Sequence, residues 1–348
     1  MAYTTINKST DYFNTKLYVG NGGTQALTGV GFQPDFTWIK KRTGGTTSHQ
    51  VFDVLRGVTK RLFPDTTEEE STSASTLTAF GTDGFTVGSN TGVNDNSQNH
   101  VAWNWKANGA GSANTGGTIN STVSVNQTAG FSIVSWQGTN ANASVGHGLS
   151  SEPTFVFYKV RGEAGDWAVY NKDLGANKYL RLNDNASEAT DTGMFQNTDP
   201  TGGKLYVGGN LANKGFPMIA YCFTPKIGYS KISTYKGNGS STNAPFIYTG
   251  FKPAFVLIKN LFVGNSWNIK DNKRRTASET TSFGNQTDGV LLSNSNANDQ
   301  NANGLDLLSN GFKHRSNGAD VNSSGGTYAY MAFGQSLVGS NNVPCTAR

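Results

Sequence analysis

Short apolar runs, each interrupted by glycine or asparagine, dominate the hydrophobic pattern of this chain. The run over residues 16–19, for example, ends at Gly20-Asn21-Gly22-Gly23, and such residues tolerate the positive φ of a tight turn. Val, Ile, Thr, Tyr, Phe and Trp fill the runs, whereas long stretches rich in Ala, Leu, Glu and Lys are absent. Strand formers separated by turn formers predict an all-β protein.

One apolar run recurs three times in the same setting. Residues 31–40 and 250–259 both begin with Gly-Phe, place a proline at the fourth position and end in lysine, and residues 148–159 are a looser third copy. The copies lie roughly 100 to 115 residues apart, which is too long for a solenoid repeat and suits a small domain. Tandem copies of this size are typical of structural and adhesive proteins, and enzymes seldom triplicate a catalytic domain.

The last strand of each repeat indicates how the repeat folds. Residues 327–333 carry apolar side chains at both odd and even positions, as in a strand buried on both faces. Its nearest sequence neighbour is an Asn-rich loop, so it must pair with a distant strand. This favours three tandem β-sandwich domains that are jelly-roll-like. The predicted divisions are repeats at 1–108, 131–229 and 230–336, a linker or extra strand at 109–130, and a C-terminal tail at 337–348.

Several residues are expected in the core. Tyr221, Phe255, Ile258 and Phe333 each lie in an apolar run that is too long for a solvent-facing surface. Cys222, in the same run as Tyr221, is expected to be a small buried hydrophobe.

Composition and charge limit the kinds of partner that the chain is expected to bind. The net charge is +5 with a pI near 9.0, and only 15% of the residues are charged. This small, dispersed excess predicts no nucleic-acid partner, and the densest basic cluster, Lys270 to Arg275, is interpreted as a solvated loop. No apolar run approaches the ~18 residues of a membrane span. The first residues lack the basic and apolar segments of a signal peptide, so we expect synthesis in a cytoplasm.

The sequence offers no recognisable chemistry. A nucleophile elbow, a P-loop and the His and Cys spacings of a zinc site are all missing, so no catalytic, metal or cofactor-binding residue is predicted. Glu68-Glu69-Glu70 is interpreted as a charged loop tip rather than the paired acids of a polysaccharide-cleaving enzyme. Asp53, Asp173 and Asp271 fall in the same region of successive repeats, which favours a role in a turn or a cap.

Receptor contact is the remaining candidate role. Trp136 precedes a Gly-Thr-Asn turn, and its indole either packs in the core or stacks on a glycan. Loops that differ between repeats are where binding specificity resides, and Asn and Ser side chains suit sugar hydroxyls. Residues 285–303 are the preferred loop and residues 65–75 the second, the alternative being that both are only solvated. The candidate contact residues in the preferred loop are Asn294, Asn296, Asn298 and Asp299.

Several motifs resemble a known family. Phe80-Gly81-Thr82-Asp83-Gly84-Phe85 and Val101-Ala102-Trp103-Asn104-Trp105-Lys106 look like segments of repeat-bearing virion structural or fibre-like proteins of marine tailed bacteriophages. Other matching segments are residues 1–7, 33–40, 55–60, 145–149, 179–183, 310–315 and 325–333. The resemblance covers residues 2–333 and is carried by structural motifs.

The resemblance implies a role in the virion. A tail fibre, head fibre or capsid-decorating protein would assemble in the host cytoplasm, bind other virion proteins and contribute to attachment to a host glycan or protein. Phage fibres are usually trimers, so a homotrimer is expected by analogy. The alternatives are a purely structural decoration or adaptor protein that binds only virion proteins, and a polysaccharide-cleaving tail enzyme.

Overall fold

The computed structural model describes residues 4–274 and 286–339. Within these residues the helical elements are a 3-10 turn, Ser9–Asp11, and a one-turn helix α1, Thr91–Asn94. No helix among them is long and apolar enough to cross a membrane. All other regular structure is β, so the all-β prediction is confirmed.

Strands of the three repeats follow one another along the chain. Strands β1 to β9 of the first repeat are Phe13–Val19, Gln25–Thr28, Phe36–Lys41, Gln50–Asp53, Lys60–Arg61, Ser71–Thr72, Leu77–Gly81, Gly84–Val87 and Asn99–Trp105. The segment between repeats and the second repeat contain β10 to β19: Ser112–Asn114, Ser121–Asn126, Phe131–Gln137, Ala143–Gly146, Phe155–Val160, Ala168–Asn171, Lys178–Arg181, Ala189–Thr190, Lys204–Val207 and Pro217–Phe223. Strands β20 to β27 of the third repeat are Ser230–Lys236, Phe246–Tyr248, Lys252–Asn260, Asn268–Asp271, Gln286–Leu292, Gln300–Leu308, Gly311–His314 and Thr327–Gln335.

The repeats share one strand order. The inner sheets contain the runs β1-β9-β3-β4, β12-β19-β14-β15 and β20-β27-β22-β23, so the closing strand always lies between the first and third of its repeat. All of these pairs are antiparallel. Outer pairs β2-β8, β13-β18 and β21-β26 cover the inner sheets. The prediction that the closing strand is central in a sandwich is confirmed.

Alternation along the strands gives each inner sheet two buried faces. In β3, Phe36 and Trp38 join a core that contains residues of all three repeats, whereas Ile39 joins a core within the first sandwich. The second and third repeats have corresponding cores of their own. Three sandwiches thus pack their inner faces against each other and form one body. The division into independently folding domains stays a prediction.

Three aromatic rings mark the centre of this body. Trp105, Phe223 and Phe333 hold the same register position in their closing strands, opposite Phe36, Phe155 and Phe255. Their ring centroids form a triangle with sides of 6.3, 5.8 and 5.9 Å. Equivalent residues of three repeats therefore surround an approximate threefold axis.

The residues that the sequence places in the core are buried. The expected core residues Tyr221, Phe255, Ile258 and Phe333 are at most 2% exposed, which confirms the prediction. Cys222 is buried, as expected.

Candidate functional site

A buried lysine at the end of each recurring apolar run binds the neighbouring repeat. These lysines occupy the same position in β3, β14 and β22, and all are fully buried. The Nζ atoms of Lys40, Lys159 and Lys259 donate to the backbone oxygens of Asn296, Thr67 and Asn185, each at 3.0 Å. Burial lowers the pKa of each lysine to about 8. We call the contacts between repeats 1 and 2, 2 and 3, and 3 and 1 the first, second and third joints.

A ring nitrogen makes a second recurring bond across every joint. Trp167 Nε1 donates to Phe63 O and Trp267 Nε1 donates to Arg181 O, both at 2.8 Å. His49 occupies the corresponding position in the first repeat, and its Nε2 lies 3.0 Å from the oxygen of Leu292. The aromatic residue before the fourth strand therefore closes each joint.

The neighbours of His49 fix its protonation. Trp38 Nε1 lies 2.8 Å from His49 Nδ1, and an indole nitrogen can only donate. Nδ1 is therefore the acceptor and Nε2 carries the hydrogen that binds the carbonyl. Burial, followed by the charge of Lys40, holds the pKa of His49 well below its usual value. The side chain is a neutral structural donor.

Buried ion pairs lie at the first and third joints. In the third joint, Arg274 Nε binds Asp271 Oδ2 at 2.6 Å, and Trp103 Nε1 from the first repeat donates to the same oxygen at 3.0 Å. Burial alone would raise the pKa of Asp271, but Arg274 outweighs it and holds the pKa below its usual range. Asp271 Oδ1 also accepts the backbone N–H groups of Lys273 and Arg274, so the predicted turn role is present.

The first joint repeats this arrangement. Asp53 pairs with Arg56, both with no exposed side-chain surface, and Tyr221 from the second repeat donates to Asp53 Oδ2 at 2.7 Å. Asp53 Oδ1 accepts the N–H groups of Leu55 and Arg56. An acid, an arginine and an aromatic donor from the next repeat are therefore the recurring unit.

The second joint replaces all three members of this unit. Asn171, Leu174 and Met331 stand where the other joints have an aspartate, an arginine and an aromatic donor. Asn171 Oδ1 keeps the turn by accepting from Asp173 N at 2.9 Å. The position equivalent to Asp53 and Asp271 is thus Asn171 and not Asp173. Without an arginine or an aromatic donor, this joint has a neutral centre.

The preferred receptor loop lies in the third joint. Across the joint, Asp299 Oδ2 lies 2.8 Å from Arg42 Nε. Within the third repeat, Asp299 Oδ1 lies 2.8 Å from Arg274 Nη1, and Asn294 Oδ1 accepts from Trp267 N at 2.9 Å. Much of residues 285–303 belongs to β24 and β25, which correct the expectation of one long loop. The side chain of Asn296 is exposed and that of Asn298 is half-buried. Receptor contact by these residues stays a prediction, but most of them have a structural role.

Trp136, the other candidate contact residue, is buried in the structure. Trp136 is 4% exposed, lies in the core of the second repeat and donates from Nε1 to Asn213 Oδ1 at 3.0 Å. Trp136 is also one of the residues that line a cleft of about 440 Å³. Its burial leaves little ring surface for stacking on a sugar, so the structure favours the core-packing alternative.

Two interpretations of charged segments are wrong for part of each segment: Glu68, Glu69 and Lys273 are exposed as expected, but other members of the two segments are not. Glu70 is no solvated loop tip, because two bonds of 2.9 Å join it to Arg161 of the second repeat, at the first joint. Lys270 and Arg274 are fully buried rather than part of a solvated loop. Lys270 Nζ donates to the backbone oxygens of residues 288 and 302, and burial lowers its pKa to about 7. Arg275 lies outside the described residues.

Comparison with known proteins identifies a family. Residues 8–336 match a family described as a domain of unknown function (DUF7483), and the chain belongs to it. The match spans all three repeats, so the unit that defines this family is the joined body rather than a single sandwich. No curated protein matches the chain. Among the described residues, no group of three or more His, Cys, Asp or Glu side chains is arranged to hold a metal ion.

Proposed function

We propose that this chain is a non-enzymatic structural component of a tailed-phage virion, an exposed fibre or decoration protein that contributes to host-surface attachment. The ring of joints carries the proposal. Acids that could act in chemistry, such as Asp53, Glu70 and Asp271, are each bonded to an arginine and to the next repeat. Carboxylates that are bonded in this way stabilise the contacts between the sandwiches. The resemblance to virion fibre-like proteins supports the same role.

Attachment would use loops outside the joints. Corresponding turns follow the opening strand of every repeat, at residues 20–24, 138–142 and 237–244, and most of their residues are exposed. They are rich in Asn, Ser, Thr and Gly, whose amides and hydroxyls pair with sugar hydroxyls. Because the repeats surround an approximate threefold axis, these turns lie at related positions around it. We propose them as the attachment surface in place of residues 285–303.

Competition for adsorption tests this proposal. Purified chain added to host cells should slow adsorption of the phage, and gold-labelled antibodies against the chain should decorate particles in micrographs. Replacing exposed turn residues, Asn142→Arg with Ser241→Arg, should abolish the competition, whereas Ser150→Arg on another exposed loop should leave it intact. Absence of label on the particles contradicts the virion assignment.

Two other outcomes would favour the alternative functions. Labelled particles whose adsorption the purified chain does not slow would identify a decoration or adaptor protein that binds only other virion proteins. New reducing ends after incubation with host polysaccharide would instead identify a polysaccharide-cleaving enzyme. Native mass spectrometry tests the homotrimer that the analogy with phage fibres implies.

A further inference from the structure

The third repeat has an open seam between its two sheets. Its eight strands form one sheet that curls round, with β20 and β21 as the two end strands. Across the seam, Lys231 Nζ donates to Tyr248 O at 2.7 Å. Clefts of about 390 and 340 Å³ lie along it, the first lined by Lys231 and Ile232 and the second by Tyr248 and Leu337. Apart from the Lys231 bond, no strand within residues 4–274 and 286–339 pairs with the outer side of β20 or β21, so that side can accept an added strand.

The corresponding seam in the second repeat is filled by the chain itself. Strand β11, from the segment between repeats, pairs antiparallel with β12 over its whole length. The same segment also binds the outer strand, since Ile119 N donates to Ser144 O at 3.1 Å and Ser121 Oγ donates to Gly146 O at 2.8 Å. An extended segment that bridges both sheets is thus a natural occupant of this seam.

Side chains bridge the seam of the first repeat. Asn14 Nδ2 donates to Val30 O at 2.9 Å, and Gln25 Nε2 donates to Val19 O at 3.1 Å. Strand β2 presents Ala26 and Thr28 to solvent. Side chains bridge this seam as Lys231 bridges the third, but its outer strand β2 carries no aromatic side chain.

Only in the third repeat do aromatic residues face outward at these positions. Phe246 and Tyr248 stand where the first repeat has Ala26 and Thr28, according to the pairing of β21 with β26 and of β2 with β8. Phe246 is 45% exposed, Tyr248 54%, and nearby Ile227 71%. Grouped exposed apolar side chains mark interaction sites.

Charge indicates the kind of segment that would fit. Lys231 and Lys236 lie on the free strand β20, and neither forms an ion pair with any residue in 4–274 or 286–339. Their ammonium groups would be complemented by carboxylates on an incoming strand. Lys231 and Lys236 are an odd number of positions apart and project from opposite faces of β20, so an incoming strand would need an acid on each face, with apolar residues beside them against Ile227 and Tyr248.

We propose that the seam between β20 and β21 binds an extended acidic segment of another protein, which adds to β20 as a strand. Backbone hydrogen bonds would supply affinity, and the lysines and exposed aromatic residues would supply selectivity. This site adjoins the attachment turn at residues 237–244, because β20 ends at Lys236, but it does not depend on the virion assignment.

A peptide-binding experiment tests the proposal. A short fluorescent peptide that carries valine and glutamate on both of its strand faces should bind the full chain, and the same peptide with lysine in place of glutamate should not. Lys231→Glu with Lys236→Glu should weaken the acidic peptide's binding by at least tenfold. The matched control, Lys16→Glu on β1 of the first repeat, should leave binding unchanged. Hydrogen exchange should slow in β20 when the acidic peptide is bound and not in β1.

Four results would overturn this assignment. Equal binding of both peptides, or binding that survives charge reversal with the fold intact by circular dichroism, excludes a charge-selective strand site. Slow exchange of β20 without peptide, together with dimers in sedimentation, makes a second copy the occupant. Faster exchange of β20 after removal of residues 340–348 makes the chain's own C-terminus the occupant. Lys236→Glu alone, at an exposed position, serves if the double variant does not fold.

Discussion

Truncating the ring at the centre of the body should destabilise all three repeats at once. The Phe333 centroid lies 5.4 Å from that of Phe13, 5.8 Å from that of Trp105 and 5.9 Å from that of Phe223. Its partners thus belong to the first and second repeats as well as its own, which contributes Phe255 at 6.2 Å. Phe333→Ala removes these contacts and leaves a cavity that rigid sheets cannot close, at a cost of about 3–5 kcal/mol.

The shift in melting temperature depends on how much of the chain unfolds together. Unfolding entropy is about 2.1 cal/mol/K per residue, so 348 residues that unfold as one unit give about 0.7 kcal/mol/K. The cost of the cavity then lowers Tm by about 4–7 °C. If residues 230–336 unfolded alone, the same cost would lower Tm by about 13–22 °C and would affect only part of the heat. The shared core predicts the smaller, uniform shift.

Differential scanning calorimetry distinguishes the two cases. We expect a single transition whose van't Hoff and calorimetric enthalpies agree, and Phe333→Ala should move it as a whole. The control Phe246→Ala, at an exposed position, should change stability by less than about 0.5 kcal/mol. A van't Hoff enthalpy near a third of the calorimetric value, or an unchanged Tm in Phe333→Ala, would refute the shared-core argument.

Other predictions concern the joints. Arg274→Leu leaves Asp271 buried without its partner, which should cost about 3–5 kcal/mol at neutral pH. Burial would then raise the pKa of Asp271, so in urea titrations the deficit should shrink as pH falls toward about 4; a constant deficit would contradict this. Lys159 has a pKa of about 8, so the unfolded chain binds more protons between about pH 8 and 10 and stability should rise there. Lys159→Met should flatten that rise relative to the parent chain, and an identical slope would argue against a buried ammonium. Deleting residues 294–301 should lower Tm sharply because it removes the partners of Lys40 and Arg42 in the third joint, whereas a normal Tm with lost adsorption would restore these residues as a free receptor loop.

The strands, the repeat and the core could be predicted because their signals are local. Apolar side chains on both faces of residues 327–333 indicate a central strand wherever the partner strands come from. Glycine and asparagine between runs mark turns for the same reason. These features depend only on residues close in sequence and on the alternation of side chains between the two faces of a strand.

The joints could not be predicted because they depend on the packing of one repeat against another. Polar composition suggested that residues 294–299 and Glu70 face solvent, whereas Asn296 and Asp299 bind Lys40 and Arg42 of the first repeat, and Glu70 binds Arg161 of the second. One signal was present: a lysine ended each recurring apolar run, where a solvent-facing strand end needs no particular residue. Its recurrence at Lys40, Lys159 and Lys259 indicated that each of these lysines has a hydrogen-bond acceptor at the equivalent place in the structure.

The differences between joints follow a physical rule. A buried aspartate is stable only with its arginine, and a buried arginine only with its aspartate, so replacing one alone is costly. The second joint differs from the others in both charges and in the aromatic donor at once. Asn171, Leu174 and Met331 occupy these three positions, and none of them needs a counter-ion. The backbone geometry survives because Asn171 still closes the turn that Asp53 and Asp271 close elsewhere. The repeats can therefore diverge in chemistry while the ring stays closed, provided that each joint changes as a unit.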